Sequence, residues 1–185
     1  MKRRKQILKA APVSVAAASG ALAGELGLPI SGSGATRIVI GRQEWIALPE
    51  FGGLVANAKV DTGARTSSLH AMDVRLDEAG ECVRFVTTDR NGRRINCEAA
   101  VARLGRVKNS GGKARRRVFI ETTAVLSGGF CWRVQFTLAD RSAMSCPVLL
   151  GRRALSGFFL IDPQGNHLLG GLRDFDIPSA GQPPP

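Results

Sequence analysis

Ala58-Lys59-Val60-Asp61-Thr62-Gly63-Ala64 is the stretch that decides the fold of this chain. An acid closing a short strand, then a hydroxyl, then a glycine, describes a carboxylate held in a tight turn. Gly63 permits the close backbone approach such a turn needs. Alone, the tripeptide reads equally as an aspartate that satisfies its own turn backbone. A second stretch gives it weight: Pro147-Val148-Leu149-Leu150-Gly151-Arg152, a buried strand running into a turn, with Arg152 to Ser156 following as one or two helical turns.

Working outward, the chain reads as short strands separated by turn signals. Ile38-Val39-Ile40 ends at Gly41, and Trp45-Ile46-Ala47-Leu48 stops at Pro49. His70, Met72, Val74 and Leu76 share one face by period-two alternation. Cys82 to Thr88 and Arg94 to Val101 flank Asp89-Arg90-Asn91-Gly92, and Asn-Gly between strands is a strong hairpin signal. Val118 to Leu126 is a further strand. Trp132, Val134, Phe136 and Leu138 alternate with Arg133, Gln135 and Thr137, the pattern of a half-buried strand. Phe158 to Ile161 and His167 to Leu169 close the domain. Regular short strands of this kind point to an all-β fold, a closed or nearly closed barrel.

The net charge of +11 over 185 residues is concentrated in two places. Residues 1–36 carry five Lys or Arg and one Glu; residues 103–117 carry seven and no acid; the remainder is neutral. Residues 103–117 contain Asn109-Ser110-Gly111-Gly112 and read as a mobile basic loop suited to an anionic partner. Residues 1–35 read as a basic, Ala-rich tail outside the fold, residues 36–176 as the domain, and 177–185 as an unstructured end. Ala21-Leu22-Ala23 has the form of a signal-peptidase site, but Lys9 and Pro12 interrupt the apolar core a signal needs. The balance favours the cytoplasm over export, and no segment is apolar enough for a membrane span.

Hydrolysis by carboxylates needs two of them sharing one proton. One is base to a water, and its protonated partner polarises the carbonyl. This chain has one Asp-Thr-Gly and no Asp-Ser-Gly. The second acid must therefore come from Asp61 of a second copy across a two-fold axis, with Thr62 and Gly63 fixing the turns.

The Asp61-Thr62-Gly63-Ala64 and Val148-Leu149-Leu150-Gly151-Arg152 pair resembles the two signatures of retropepsins, the retrovirus-type dimeric aspartic proteases. The chain is more similar still to a bacterial retropepsin-like family long labelled "putative ATP-dependent zinc protease", often found beside RimK-type glutamate ligases. That resemblance runs from about Val39 to Gly170. It rests on residues 58–71, on Leu138-Ala139-Asp140-Arg141-Ser142-Ala143-Met144, on residues 147–155 and on Leu160-Ile161-Asp162-Pro163. It implies an acid-protease β-barrel with one short helix after the Leu-Leu-Gly-Arg motif, Asp61 as catalytic acid, a homodimer, and glutamate tails on proteins as substrate. Viral enzymes carry, four residues after the catalytic acid, a second acid that pairs with the arginine of the late motif. Here that place is Arg65, so Arg152 must find another partner or serve the substrate. Arg65 and Arg152 are accordingly the candidate substrate contacts. The Asn91-Gly92 hairpin is the first candidate for the flap over substrate, with 109–112 as the alternative.

The residues give zinc and ATP little support. There are two histidines, His70 and His167, and neither H-E-x-x-H nor a Walker A sequence is present. No metal or cofactor is expected, and His70 reads as a satisfied core histidine. Cys82, Cys97, Cys131 and Cys146 form no C-x-x-C pair. Cys131 and Cys146 lie in apolar stretches and read as buried thiols, with two disulfides as the alternative if the chain is exported. Two rival functions share these residues. One is a non-catalytic dimeric module that binds an acidic protein; the other is nucleic-acid binding through 103–117, disfavoured because the chain has no Tyr and few aromatics stand near the basic run for stacking.

Overall fold

A computed structural model describes residues 27–29, 36–108, 114–172 and 175. Its strands are β1 (Gly27–Pro29), β2 (Thr36–Ile40), β3 (Gln43–Leu48), β4 (Leu54–Asp61), β5 (Ser67–His70), β6 (Met72–Leu76) and β7 (Cys82–Thr88). They continue as β8 (Arg94–Lys108), β9 (Ala114–Leu126), β10 (Cys131–Ala139) and β11 (Val148–Gly151). The helix α1 (Arg152–Leu155) then precedes β12 (Phe159–Ile161).

Six strands close on themselves in the order β10-β5-β11-β4-β3-β9, with β9 pairing back to β10. Closure satisfies the strand edges that an open sheet would leave exposed. The alternation of β10 explains what fills the barrel. Trp132, Val134, Phe136 and Leu138 are buried against Ile120, Ala124 and Leu126 of β9, while Arg133 points out to Glu50 and Glu121. The all-β expectation, the barrel and the short helix after Leu149-Leu150-Gly151-Arg152 all hold. Beyond the barrel, β8, β7 and β6 extend the sheet from β9, and β1, β2 and β12 form a separate small sheet.

Several expectations need correction. The basic stretch 103–117 is not a loop: all but its tip forms the two arms of the β8–β9 hairpin, paired from Val101↔Ile120 to Lys108↔Ala114. The alternative flap segment 109–112 lies outside the described residues. Gly27–Pro29, expected outside the fold, pairs antiparallel with β2. The remainder of 1–35, and residues 177–185, lie outside the described residues. The alternation from His70 to Leu76 does not form one buried face. The strand breaks at Ala71, Asp73 takes φ 51°, and Val74 and Leu76 are exposed, because β6 is an outermost strand with β7 on one side only. His167 to Leu169 is a turn, with His167 at φ 53° and its carbonyl accepting from Gly170 N–H at 3.2 Å. Cys131 lies on the outward parity of β10 and is exposed; Cys97 and Cys146 are buried, and none of the four is in a disulfide.

Glu44 fastens that last turn to the barrel. It is fully buried, and its Oε1 accepts N–H groups of Gly41 (2.7 Å) and Leu168 (3.0 Å). Glu44→Ala would leave both donors without that acceptor. A loss of about 1–3 kcal/mol in urea unfolding is expected, and an unchanged midpoint would show that water replaces the clasp.

Candidate active site

β11 lies parallel to β4, with Leu150 opposite Val60 and Gly151 opposite Asp61. On its other side β11 runs antiparallel to β5, Leu149 facing Ser68. The two sequence stretches that define the chain therefore end side by side, and Asp61 leaves the barrel where β11 turns into α1.

Asp61 divides its two oxygens. Oδ1 accepts the N–H groups of Gly63 and Ala64, both at 3.0 Å, and so builds the turn. Oδ2 faces outward, 3.9 Å from Lys59 Nζ, a loose pair at an exposed lysine and worth little. Thr62 and Gly63 are exposed on the same turn. The aspartate thus does satisfy its own backbone, but with one oxygen, leaving the other outside the turn's hydrogen bonds.

Arg152 holds the turn from the far side. One of its guanidinium nitrogens donates to the carbonyl oxygens of both Thr62 (2.8 Å) and Gly63 (2.9 Å). The main chain follows suit: Arg152 N–H donates to Ala64 O at 2.9 Å and Arg153 N–H to Arg65 O at 3.2 Å. Arg65 itself is exposed. The missing acid at that position is thereby replaced by two turn carbonyls, both held by one guanidinium nitrogen. Arg152→Ala should cost about 1–2 kcal/mol of stability, with Arg152→Lys restoring only part because an ammonium on a flexible stem gives up more freedom to make the same two bonds than the planar guanidinium does. Equal urea midpoints for all three proteins would contradict this.

Ser67 completes the frame, its hydroxyl accepting Gly151 N–H at 3.1 Å while buried at the start of β5. The loop after β10 closes over the same region. Arg141 N–H donates to Nδ1 of the buried His70 at 3.0 Å, and the Arg141 guanidinium donates to Cys146 O at 3.2 and 3.1 Å. Burial pulls the Arg141 guanidinium below its usual range, and the charges of Cys146 and Asp61 oppose that pull. Arg141 stands in the quoted sequence without an assigned role; nothing local marked it, since one partner is a ring nitrogen 71 residues away and the other a backbone carbonyl, which carries no residue identity.

Asn91 and Gly92 form the tight turn between β7 and β8. Asp89 Oδ1 accepts Asn91 N–H (2.8 Å) and Arg93 N–H (2.9 Å), and Gly92 takes φ 77°. No hydrogen bond or ion pair among the described residues joins this turn to Asp61. Zinc is poorly served. His70 Nδ1 is committed to Arg141. His167 stacks on Trp45 at 5.1 Å, with Nε2 3.3 Å from Asn57 Oδ1. Among the described residues no three His, Cys, Asp or Glu side chains converge. The donor set does not suit that ion. Burial pushes the Cys97 thiol up to about 11, so it stays protonated at neutral pH and is no nucleophile.

Comparison with known proteins gives this arrangement a setting. Residues 39–169 match the family model described as RimB-like, retropepsin-like aspartic endopeptidase RimB. A protein of Shewanella pealeana named probable alpha-L-glutamate ligase is 38% identical over 146 residues, covering 76% of this chain and 32% of that one. A protein of the same name from Parasynechococcus marenigrum is 39% identical over 142 residues, 74% of this chain and 30% of its own length. The chain thus spans about a third of those relatives. A solved Legionella pneumophila protein of unknown function superposes with a TM-score of 0.59 at 26% identity, over 71% of this chain and 97% of that one.

Proposed function

Because the chain belongs to the RimB-like family of retropepsin-like aspartic endopeptidases, we propose that it hydrolyses peptide bonds with a dyad of two Asp61 carboxylates, one from each protomer of a homodimer. The observation that carries this reading is the division of labour at Asp61. Oδ1 is fixed by two N–H groups, Oδ2 faces out, and the exposed Thr62-Gly63 turn is braced from behind by Arg152. A second copy set against that turn by a two-fold axis would bring the two outward oxygens together.

Two carboxylates at such range cannot both ionise, so one proton is shared and the apparent pKa values belong to the pair. The ionised member takes a proton from a water, whose oxygen adds to the peptide carbonyl. The protonated member donates to the carbonyl oxygen as negative charge develops there. The tetrahedral adduct then collapses, the C–N bond breaks, and the nitrogen leaves with a proton from the dyad.

The substrates proposed are glutamate tails on proteins. The curated relatives are named as glutamate ligases, and a peptidase of this kind would cut the bond such a ligase makes. Their ligase name describes proteins of which the match covers about a third, so ligation is not carried over to this chain. The test is incubation of the full chain with a glutamate-tailed peptide, with and without chelator, read by mass spectrometry. Shortened tails at equal rates in both are expected. Loss with chelator would replace the dyad by a metal mechanism, and intact peptide throughout would overturn the substrate.

A further inference from the structure

The β8–β9 hairpin concentrates positive charge on strands that nothing neutralises. From Val101 to Val118 the sequence holds no acid. Among the described residues no carboxylate lies within ion-pairing distance of Arg103, Arg106, Arg115, Arg116 or Arg117.

The register sorts these arginines onto two faces. Ile120, Ala124 and Leu126 point into the barrel, so Val118 and Arg116 continue that inner face beyond it, with Leu104 and Arg106 as their cross-strand partners. On the outer face Arg103 and Arg117 are tied down. The Arg103 guanidinium carbon sits 3.3 Å from the Phe119 ring centroid, and its Nε donates to Gln135 Oε1 at 3.2 Å. Gly105 makes that stacking possible, since a Cβ there would meet both Arg103 and the Phe119 ring, the latter at 2.9 Å. Arg117 donates to Leu138 O at 3.4 Å. On the inner face, Arg106 and Arg116 stand directly opposite each other, both exposed. Like charges in directly opposed positions of an antiparallel pair destabilise it. The fold gains nothing from this pair, whereas a ligand with closely spaced negative charges would.

We propose that Arg106 and Arg116 form an anion-reading pair on the inner face of the β8–β9 arm, and that its ligand is the run of side-chain carboxylates of an acidic peptide. The arm is connected to the site described above. Arg117 fastens it to Leu138, and the loop that follows carries Arg141, which feels the charge of Asp61. Alternate carboxylates of an extended peptide recur about 7 Å apart, within the span of two opposed arginine side chains. Nucleic acid is the poorer fit. The inner face offers the aliphatic Leu104 and Val118, and the arm's aromatic ring, Phe119, is buried beneath Arg103, so bases have nothing to stack on. This assignment deepens the peptidase reading and rests on it for what happens to the bound peptide.

The experiment uses the full chain carrying Asp61→Asn, so that binding is read without turnover. Fluorescent peptides ending in glutamates, or in the same number of glutamines, are titrated at low and moderate salt. The glutamate peptide is expected to bind, and the glutamine peptide to bind at least about tenfold more weakly. Arg106→Gln with Arg116→Gln should weaken glutamate binding by about tenfold or more and flatten its salt dependence. Arg116→Glu, which sets a carboxylate opposite Arg106, should lose binding while its melting temperature holds or rises, which separates recognition from misfolding. Arg84→Gln, an arginine paired with Glu98 on the outer sheet, should bind as before. Unchanged binding by the double variant would overturn the arm site even if the chain cleaves peptides. Displacement of the peptide by a single-stranded oligonucleotide at lower concentration than by free glutamate peptide would overturn the choice of ligand. Binding lost in the double variant, with no cleavage by the wild type, would leave the arm site standing and refute the peptidase reading.

Discussion

Asp61→Asn is expected to abolish peptide cleavage while leaving the barrel folded. The turn needs an oxygen at Oδ1 to accept the N–H groups of Gly63 and Ala64, and the asparagine carbonyl supplies one in the same place. What asparagine cannot supply is a proton that moves. In a homodimer the substitution removes both acids at once, so neither the base nor the shared proton survives. A loss of at least about 10³-fold in kcat/KM follows. Stability should change by no more than about 0.5 kcal/mol, because the ion pair given up is the loose one to exposed Lys59, and Arg141 keeps its hydrogen bonds to Cys146 O without the charge of Asp61. A sharper form of the prediction separates a dyad from a lone acid. When wild type and variant are mixed in equal amounts and allowed to exchange, about a quarter of the dimers keep two aspartates. If both acids are needed, activity falls to that fraction; if each protomer works alone, it falls to half. Wild-type turnover by folded Asp61→Asn would end the mechanism outright.

Whatever depends on neighbours in the chain was legible before the fold was known. The Asp61 turn is a three-residue event, the Asn91-Gly92 hairpin turns at a glycine that takes positive φ, and β10 declares its two faces by alternation. What failed was everything that depends on who lies across. Residues 103–117 look like a loop because arginine and glycine dominate them. Residues 103–108 and 114–117 are strands because Gly105 admits a guanidinium onto Phe119 and because β9 continues straight out of the barrel. His70 to Leu76 alternates as regularly as β10, yet alternation announces a face without naming what covers it, and β6 has nothing on that side. The partner of Arg152 was illegible for a different reason. Backbone carbonyls carry no residue identity, so the loss of an acid at Arg65 could be seen while its replacement by Thr62 O and Gly63 O could not.

Gly151→Ala tests the other half of the site, the strand that sets the Asp61 turn in place. A Cβ at Gly151 would stand 2.6 Å from the carbonyl carbon of Thr66, 2.7 Å from its oxygen and 3.0 Å from its nitrogen. Backbone strain is no obstacle, since Gly151 has φ −90° and alanine accepts that freely. The obstacle is main chain, which cannot rotate away as a side chain would. Either β11 retreats from β4 and β5 or the segment before Ser67 is pushed outward. Both routes stretch the bonds that lock the turn: Gly151 N–H to Ser67 Oγ, Arg152 N–H to Ala64 O and Arg153 N–H to Arg65 O. A loss of about 3 kcal/mol is expected, accompanied by loss of cleavage, in contrast to Asp61→Asn, where activity falls and stability stays. Gly171→Ala, where an added Cβ meets nothing within 4 Å, should stay within about 0.5 kcal/mol of wild type. Adding Thr66→Gly to Gly151→Ala should rescue nothing, because the atoms in the way belong to the backbone of residue 66 and remain when its side chain is removed. Rescue by that second substitution would show that the glycine accommodates the Thr66 side chain instead. Wild-type stability of the single variant would show that the contact yields, and that the position of Asp61 is set by Arg152 alone.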